Sequence, residues 1–349
     1  MSIETSATSS GVAAADAKKR PRNVLPFLEV AALLIALFLP LVLQDYLTVT
    51  ATRILILAIF AISFDLVWGY AGILSFGQAL FFGSAGYGVA LMARDLDITS
   101  IFVVLPASLV IGLVLALALG SFLLLGRHPA TVIFVALGTL TGSYAADRLA
   151  RGWYYLGGQN GISSFPPMTV SDFEFTEGPT FYYLVLALLV LVYLACRFIV
   201  RSQFGLALAG LRENEARITF FGYRVSHLKA IVFSLGGAVA GLAGGLYAFH
   251  EGFVWPSMLG VIISTQVVLY VLFGGTGTLI GAVVGAVMIE AASFWLSDSY
   301  RDIWPIILGV LLLLVIMFRP AGLISIIVSE RERVGVFGRP SRRKNHGPS

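Results

Sequence analysis

One kind of segment recurs along this chain: an apolar run of roughly 20 residues, repeated about ten times, each long enough to cross a bilayer as a helix. The runs fall near 25–44, 50–68, 74–93, 101–125, 129–147, 180–200, 228–249, 258–273, 278–297 and 303–326. In lipid every backbone N–H and C=O must be satisfied within the protein, and a helix does this segment by segment. The composition leaves no other solvent for such a chain. Only 12% of the residues are charged, against about 25% in soluble domains, and the mean hydropathy is +0.90. The expected fold is an all-α integral membrane protein with about ten transmembrane helices, both termini cytoplasmic. The third run, "LSFGQALFFGSAGYGVALMA" (74–93), is dense in glycine and small polar residues, which makes it the candidate for a broken or re-entrant element.

Charge orients the bundle. The polar tail 1–24 carries "KKRPRN", and the run that follows is too long for a signal-peptide core, so it reads as an uncleaved first span. The membrane domain then covers 25–326, followed by a basic tail, 327–349. With the N-terminus inside and ten spans, eighteen of the 23 Lys and Arg lie on the cytoplasmic side, and Arg53, Arg94, Arg148, Arg151 and Arg301 lie outside. The net charge of +4 therefore marks orientation rather than a nucleic-acid surface, and the partner it implies is membrane lipid.

Enzyme chemistry finds little support. Cys196 is the only cysteine, so there is no internal disulfide framework. His128, His227, His250 and His346 lack metal-ligand spacing. No G-x-x-x-x-G-K-[ST] is present, and "GGTGTLIG" (274–281) has the glycines without the lysine. It reads as a turn between spans. No cofactor is expected on this chain.

Two loops stand out. The external one, about 148–179, contains "RGWYYLGGQNGISSFPP", an aromatic belt and polar lid or a docking surface for an external partner. The cytoplasmic one, about 201–227, is too polar to span. Leu206, Leu208, Leu211, Ile218, Phe220 and Phe221 alternate there with Arg212, Glu213, Glu215 and Arg217, and a turn is expected at Gly222. A short amphipathic helix must pack on something. Its mixed charge favours a groove on a cytoplasmic partner over a lipid surface.

Several motifs, in this order and spacing, are similar to those of the M-type permease subunit of branched-chain amino-acid ABC importers. They are "GYAGILSFGQALFFGSAGYGVAL" (69–91), "GGQNGI" (157–162), "FGLALAGLRENEARITFFGY" (204–223), "FGGTGTLIGAVVGAVMIE" (273–290) and "FRPAGL" (318–323). The resemblance implies a permease in the bacterial inner membrane. Its partners would be a second, H-type permease, two ATP-binding subunits that hold ATP and Mg, and a periplasmic or lipid-anchored solute-binding protein. Relatives carry urea or short amides, so the solute stays open between these and amino acids. The loop 201–227 then corresponds to the coupling loop, with Arg212, Glu213, Asn214, Glu215 and Gly222 as its expected contacts with the ATPase.

Within the spans, Glu290 is the conspicuous charge, either a polar contact on the translocation path or a paired acid near an interface. Ser75 and Gln78 begin the third run, where free N–H groups favour an anionic group or a release-side gate. Gln266, Thr139 and Thr141 are mid-span polar residues suited to interhelical hydrogen bonds. Asp65, with Trp68 and Tyr70, is expected to bond the glycine-rich segment after it. Gly236, Gly237, Gly241, Gly244 and Gly245, and the pair Gly281 and Gly285, form small-residue stripes for helix packing. Two rival readings remain: an ion-gradient-driven secondary transporter, which would want more midplane acids, and a structural anchor.

Overall fold

A computed structural model describes residues 25–126, 131–170, 173–299 and a few positions between 306 and 323. The tails 1–24 and 327–349, and most of the expected tenth span, lie outside the described residues. Eleven α-helices are present among those described. They are α1 (Leu25–Val42), α2 (Asp45–Asp65), α3 (Gln78–Leu96), α4 (Ile101–Leu124), α5 (Val132–Gly152), α6 (Pro179–Arg201), α7 (Gln203–Glu213), α8 (Glu215–Phe220), α9 (Val225–Glu251), α10 (Val261–Gly274) and α11 (Leu279–Ser299). Among the described residues, five stretches are long and apolar enough to cross a membrane: 45–70, 101–124, 179–201, 225–251 and 279–296. Their outer faces carry large apolar side chains in the open, among them Phe102, Phe122 and Phe198, each more than three-quarters exposed. Surface of that kind is stable against lipid. The chain is a multi-pass membrane protein.

The α9 helix is the hub. It packs against α2, α3 and α4, and nearly all of its length after Lys229 is enclosed. Glycine makes the closest crossing possible. A Cβ on Gly112 of α4 would overlap the Gly237 carbonyl of α9, and one on Gly241 would overlap the Ser108 carbonyl. The expected stripe in the seventh run is thus consumed by packing inside the chain. The second stripe behaves likewise: Gly281 and Gly285 of α11 lie against Gly274 and Tyr270 of α10. Without side chains between them, backbones gain dispersion contact that lipid cannot match.

Two of the connections run through the interior. The α2 helix continues through a π-helical turn, Leu66–Tyr70, and then Ala71–Gly77 runs without helix before α3 begins. The start of α3 does not sit beyond the bundle. Phe76 N–H donates to Thr139, eight residues into α5, and Gly83 lies against the backbone of Met258 and Leu259. The second interior connection is the short 3-10 turn at Pro256–Leu259, where Pro256, Met258 and Leu259 are buried, and it leads into the short helix α10. The third run of the sequence is therefore helical only from Gln78, four residues later than its apolar start.

The two ends of the bundle differ. At one, α7 and α8 form a helical cap. At the other, four short strands lie over the helices. These are β1 (Ile162–Ser163), β2 (Met168–Val170), β3 (Phe173–Phe175) and β4 (Phe253–Val254), pairing β1 with β4 and β2 with β3, both antiparallel. Gly161 has a positive φ, and a Cβ there would overlap the Val254 carbonyl, so "GGQNGI" is the tight turn that brings β1 to β4.

Leucine at Gly241 is expected to drive α4 and α9 apart and to cost about 1–3 kcal/mol or more, the usual scale of overpacking. Thermal unfolding of the purified protein in detergent reads this. Gly152→Ala, where a Cβ meets nothing within 4 Å, is the control. Equal melting of both variants would contradict the close α4–α9 crossing.

Candidate functional site: a helical cap and two buried polar seams

The cap is built by local chemistry. The α7 helix ends where Asn214 leaves helical geometry, and the Asn214 side chain caps α8 by accepting from Arg217 N–H at 3.0 Å. Gly222 then closes α8 with φ +84°, a left-handed conformation that disfavours a side chain even though the space around it is open. The alternation of apolar and charged residues predicts one short amphipathic helix; the structure has two short helices broken at Asn214.

One face of this cap is tied to the bundle. Ile218 is buried against Gly210, and Leu208 and Leu211 are buried below. Lys229 of α9 holds both Glu215 oxygens at 2.8 Å. Lys229 is largely buried whereas Glu215 is half-exposed, so the pair anchors the cap while its acid end stays within reach of solvent. Arg212 donates to the Gly69 carbonyl in the π-helical turn after α2. The opposite face is open. Phe220 is 90% exposed and Phe221 72%, with Leu206 and Tyr223 also exposed. Glu213 and Arg217 are exposed as well. A cavity of about 200 Å³ opens between the cap and the bundle, lined by Ala71 to Ile73, Leu124, Val132, Val135, Leu211, Arg212, Glu215 and Lys229.

The first buried seam surrounds the start of α3. Ser75 and Gln78 are fully buried. Three N–H groups at this start are occupied by side chains: Phe76 N–H by Thr139 Oγ1, Gly77 N–H by Ser75 Oγ at 3.3 Å, and Ala79 N–H by Ser264 Oγ at 3.1 Å. Gln78 Nε2 donates to Ser63, while its Oε1 has no partner among the described residues. Thr139 ties α5 to the non-helical stretch before α3 rather than to another helix, and its hydroxyl donates to the Ala136 carbonyl of its own helix; Thr141 bonds only its own helix and is exposed. Ser264 and Ser143, the latter bonded to the Leu259 carbonyl, complete the seam. Neither was singled out from sequence, because a serine inside an apolar run carries no long-range signal.

The second seam brings together two residues that the sequence offered separately. Glu290 of α11 accepts from Gln266 Nε2 at 2.7 Å and from the Tyr270 hydroxyl, both on α10. Glu290 is 8% exposed. A charged or neutral carboxyl at this place is hydrogen-bonded, as a buried acid in a span must be. Nearby, Arg53 of α2 faces Glu251 of α9 at 3.8 Å.

Asp65 corrects one expectation. Its Oδ1 accepts from Gly277 N–H at 2.7 Å, in the turn between α10 and α11, rather than from the residues that follow it. At the other end of the bundle, Trp153, Tyr154 and Tyr155 are exposed. That loop is pinned by Tyr155, which donates to Asp95, and by Arg151, which reaches Ser257 at 2.9 Å.

Comparisons with known proteins point to one family. Residues 46–316 match the family model described as the branched-chain amino acid transport system permease component. The chain is 27% identical to the high-affinity branched-chain amino acid transport system permease protein LivM of Salmonella typhimurium, over 87% of this chain and 78% of that protein. It is 24% identical to the corresponding permease protein BraD of Pseudomonas aeruginosa, over 77% and 91%. A shorter stretch, 37% of this chain, is 27% identical to the permease protein LivH of Escherichia coli and covers 42% of it. No solved structure matches the chain. Matched from the second helix to beyond α11, the chain belongs to the family of branched-chain amino acid transport system permease components.

Proposed function

We propose that the chain is the M-type permease subunit of a binding-protein-dependent ABC importer that carries branched-chain or related amino acids into the cell. The observation that carries this reading is the two-faced cap. Arg212, Glu215, Ile218 and Lys229 fix one face to the bundle, and Phe220, Phe221, Leu206 and Tyr223 leave the other bare. A bare apolar face at a polar end of a membrane protein is a docking surface. In this reading the ATP-binding subunits dock on it, and Arg212, Glu213, Asn214, Glu215 and Gly222 form the coupling element. ATP and Mg belong to those subunits. Orientation follows from positive charge: the cap and both termini are cytoplasmic, the strand end faces outward, and ten spans lie in the inner membrane. The likeness to both LivM and LivH supports pairing with a second, H-type permease. A solute-binding protein would deliver cargo to the strand end.

Transport needs two packed states with a free-energy difference that ATP binding and hydrolysis can reverse. The glycine-lined crossings give smooth surfaces for such a shift. Gln266 and Glu290, on neighbouring helices, would contribute polar contacts to the path, and Ser75 and Gln78 the seam that opens and closes beside it. The relatives' solutes support a branched-chain amino acid as cargo here; urea and short amides are the other solutes to try.

Aspartate at both Phe220 and Phe221 is expected to abolish co-purification of the ATP-binding subunits while the chain stays monodisperse. Glu215→Lys sets a second cation against Lys229 and should lower ATP-driven uptake about tenfold or more, a coupling loss near 1.4 kcal/mol. Uptake and association at wild-type levels in these variants would sink the docking assignment. For the path, Glu290→Ala leaves Gln266 and Tyr270 without their acceptor, at a cost of about 1 kcal/mol. Leucine uptake should fall in this variant and largely persist in Glu290→Gln, with the ATP-binding subunits bound in both. Unaltered uptake in Glu290→Ala removes Glu290 from the path.

A further inference from the structure

The cap and the Glu290 seam lie on different helices, yet a short chain of contacts joins them. It begins at Arg212, which donates to the Gly69 carbonyl. Gly69 belongs to the π-helical turn that extends α2. It sits so close to both Asp65 and Gly277 that a Cβ would overlap the Asp65 carboxyl, and would come within 2.5 Å of Gly277 N. Asp65 in turn accepts from Gly277 N–H at 2.7 Å. Gly277 lies in the turn that ends α10 and begins α11, with φ +76°. Four residues before the end of α10 is Tyr270, one of the two donors to Glu290.

Each link is stiff. Asp65 is fully buried, so no water competes for its bond to Gly277. Gly69 has no freedom to slide toward either neighbour. Packed interiors transmit displacement because they cannot deform smoothly. Arg212, by contrast, is exposed and lies on the cap, where a docked partner would move it. One feature of Asp65 is unexplained by static packing: its Oδ2 is buried without a hydrogen-bond partner among the described residues. A buried unpaired acceptor is rare. The relay uses Oδ1 alone, the oxygen that holds the Gly277 N–H.

We propose that Asp65 is the positioning residue of transport coupling, joining the Arg212-bound end of α2 to the α10–α11 turn so that motion of the cap reaches the Glu290 seam. This rests on the cap being the docking element, and its test separates the two. Hydrogen exchange on the full chain in nanodiscs, with no partner present, reads the relay alone. Arg212→Ala is expected to speed exchange across 275–279, which Arg212 reaches through Gly69 and Asp65, and to leave α3 unchanged. Asp65→Ala should do the same and Asp65→Asn should not, because its carbonyl oxygen replaces Oδ1. In the assembled importer, Asp65→Ala should lower solute moved per ATP hydrolysed about fivefold or more, the low end of site-to-site coupling, with ATP hydrolysis retained and Asp65→Asn restoring the ratio. The relay is overturned if Arg212→Ala leaves 275–279 at the wild-type rate, or if Asp65→Ala keeps the wild-type ratio of solute to ATP. Should Asp65→Ala fail to assemble, the Arg212→Ala exchange measurement still decides. Loss of the docking assignment appears differently, as ATP-binding subunits that remain bound when Phe220 and Phe221 are aspartate.

Discussion

Everything in this bundle depends on keeping backbone polar groups satisfied where the chain leaves helical geometry inside a lipid-facing protein. A regular span takes care of itself. The stretch Ala71–Gly77 does not, and it lies against the middle of α5. Thr139 of α5 accepts the Phe76 N–H, Ser264 of α10 accepts the Ala79 N–H just inside α3, and Ser75, within the break itself, accepts that of Gly77. An unmet N–H in hydrocarbon costs several kcal/mol, so the break exists only because those helices are in place. The position of α3, its contact with the Pro256–Leu259 turn and the route of α10 all follow from that requirement.

The same constraint explains how small and polar residues are used. Glycine brings α4 to α9 and α10 to α11 at backbone distance, which gives firm packing without side-chain interlock. Polar side chains are then spent sparingly, in seams: Gln78 with Ser63, Ser143 with the Leu259 carbonyl, and Glu290 with Gln266 and Tyr270. Helices held by smooth contacts and a few directional bonds can exchange one packing for another at modest cost, as a transport cycle demands. The cap belongs to the same scheme. Its charged ties to Gly69 and Lys229 link it to α2 and α9, two helices that are enclosed along most of their length.

Sequence made some of this legible and left the rest hidden for a physical reason. Apolar length marked α2, α4, α6, α9 and α11, because the bilayer fixes how long a span must be. Glycine and small polar residues marked 74–93 as irregular, and the alternation of Leu and Phe with charge marked 201–227. Both signals are local. The pairing of Glu290 with Gln266 and Tyr270, of Asp65 with Gly277 and of Ala79 with Ser264 is not, since partners lie up to 212 residues apart. A single sequence shows that a buried acid needs a donor; it does not say which helix brings one. The break of the cap at Asn214 was local but ambiguous, because an asparagine in a short amphipathic run fits either a helix interior or a cap.

The central claim is that this chain moves solute only as part of an ATP-driven assembly. The most direct measurement is radiolabelled leucine accumulation in proteoliposomes containing the chain with its second permease and ATP-binding subunits, with the solute-binding protein added outside and ATP trapped within. The account predicts accumulation that requires ATP and the binding protein and survives collapse of the proton and sodium gradients. Accumulation by this chain alone, without ATP and driven by an ion gradient, would contradict it.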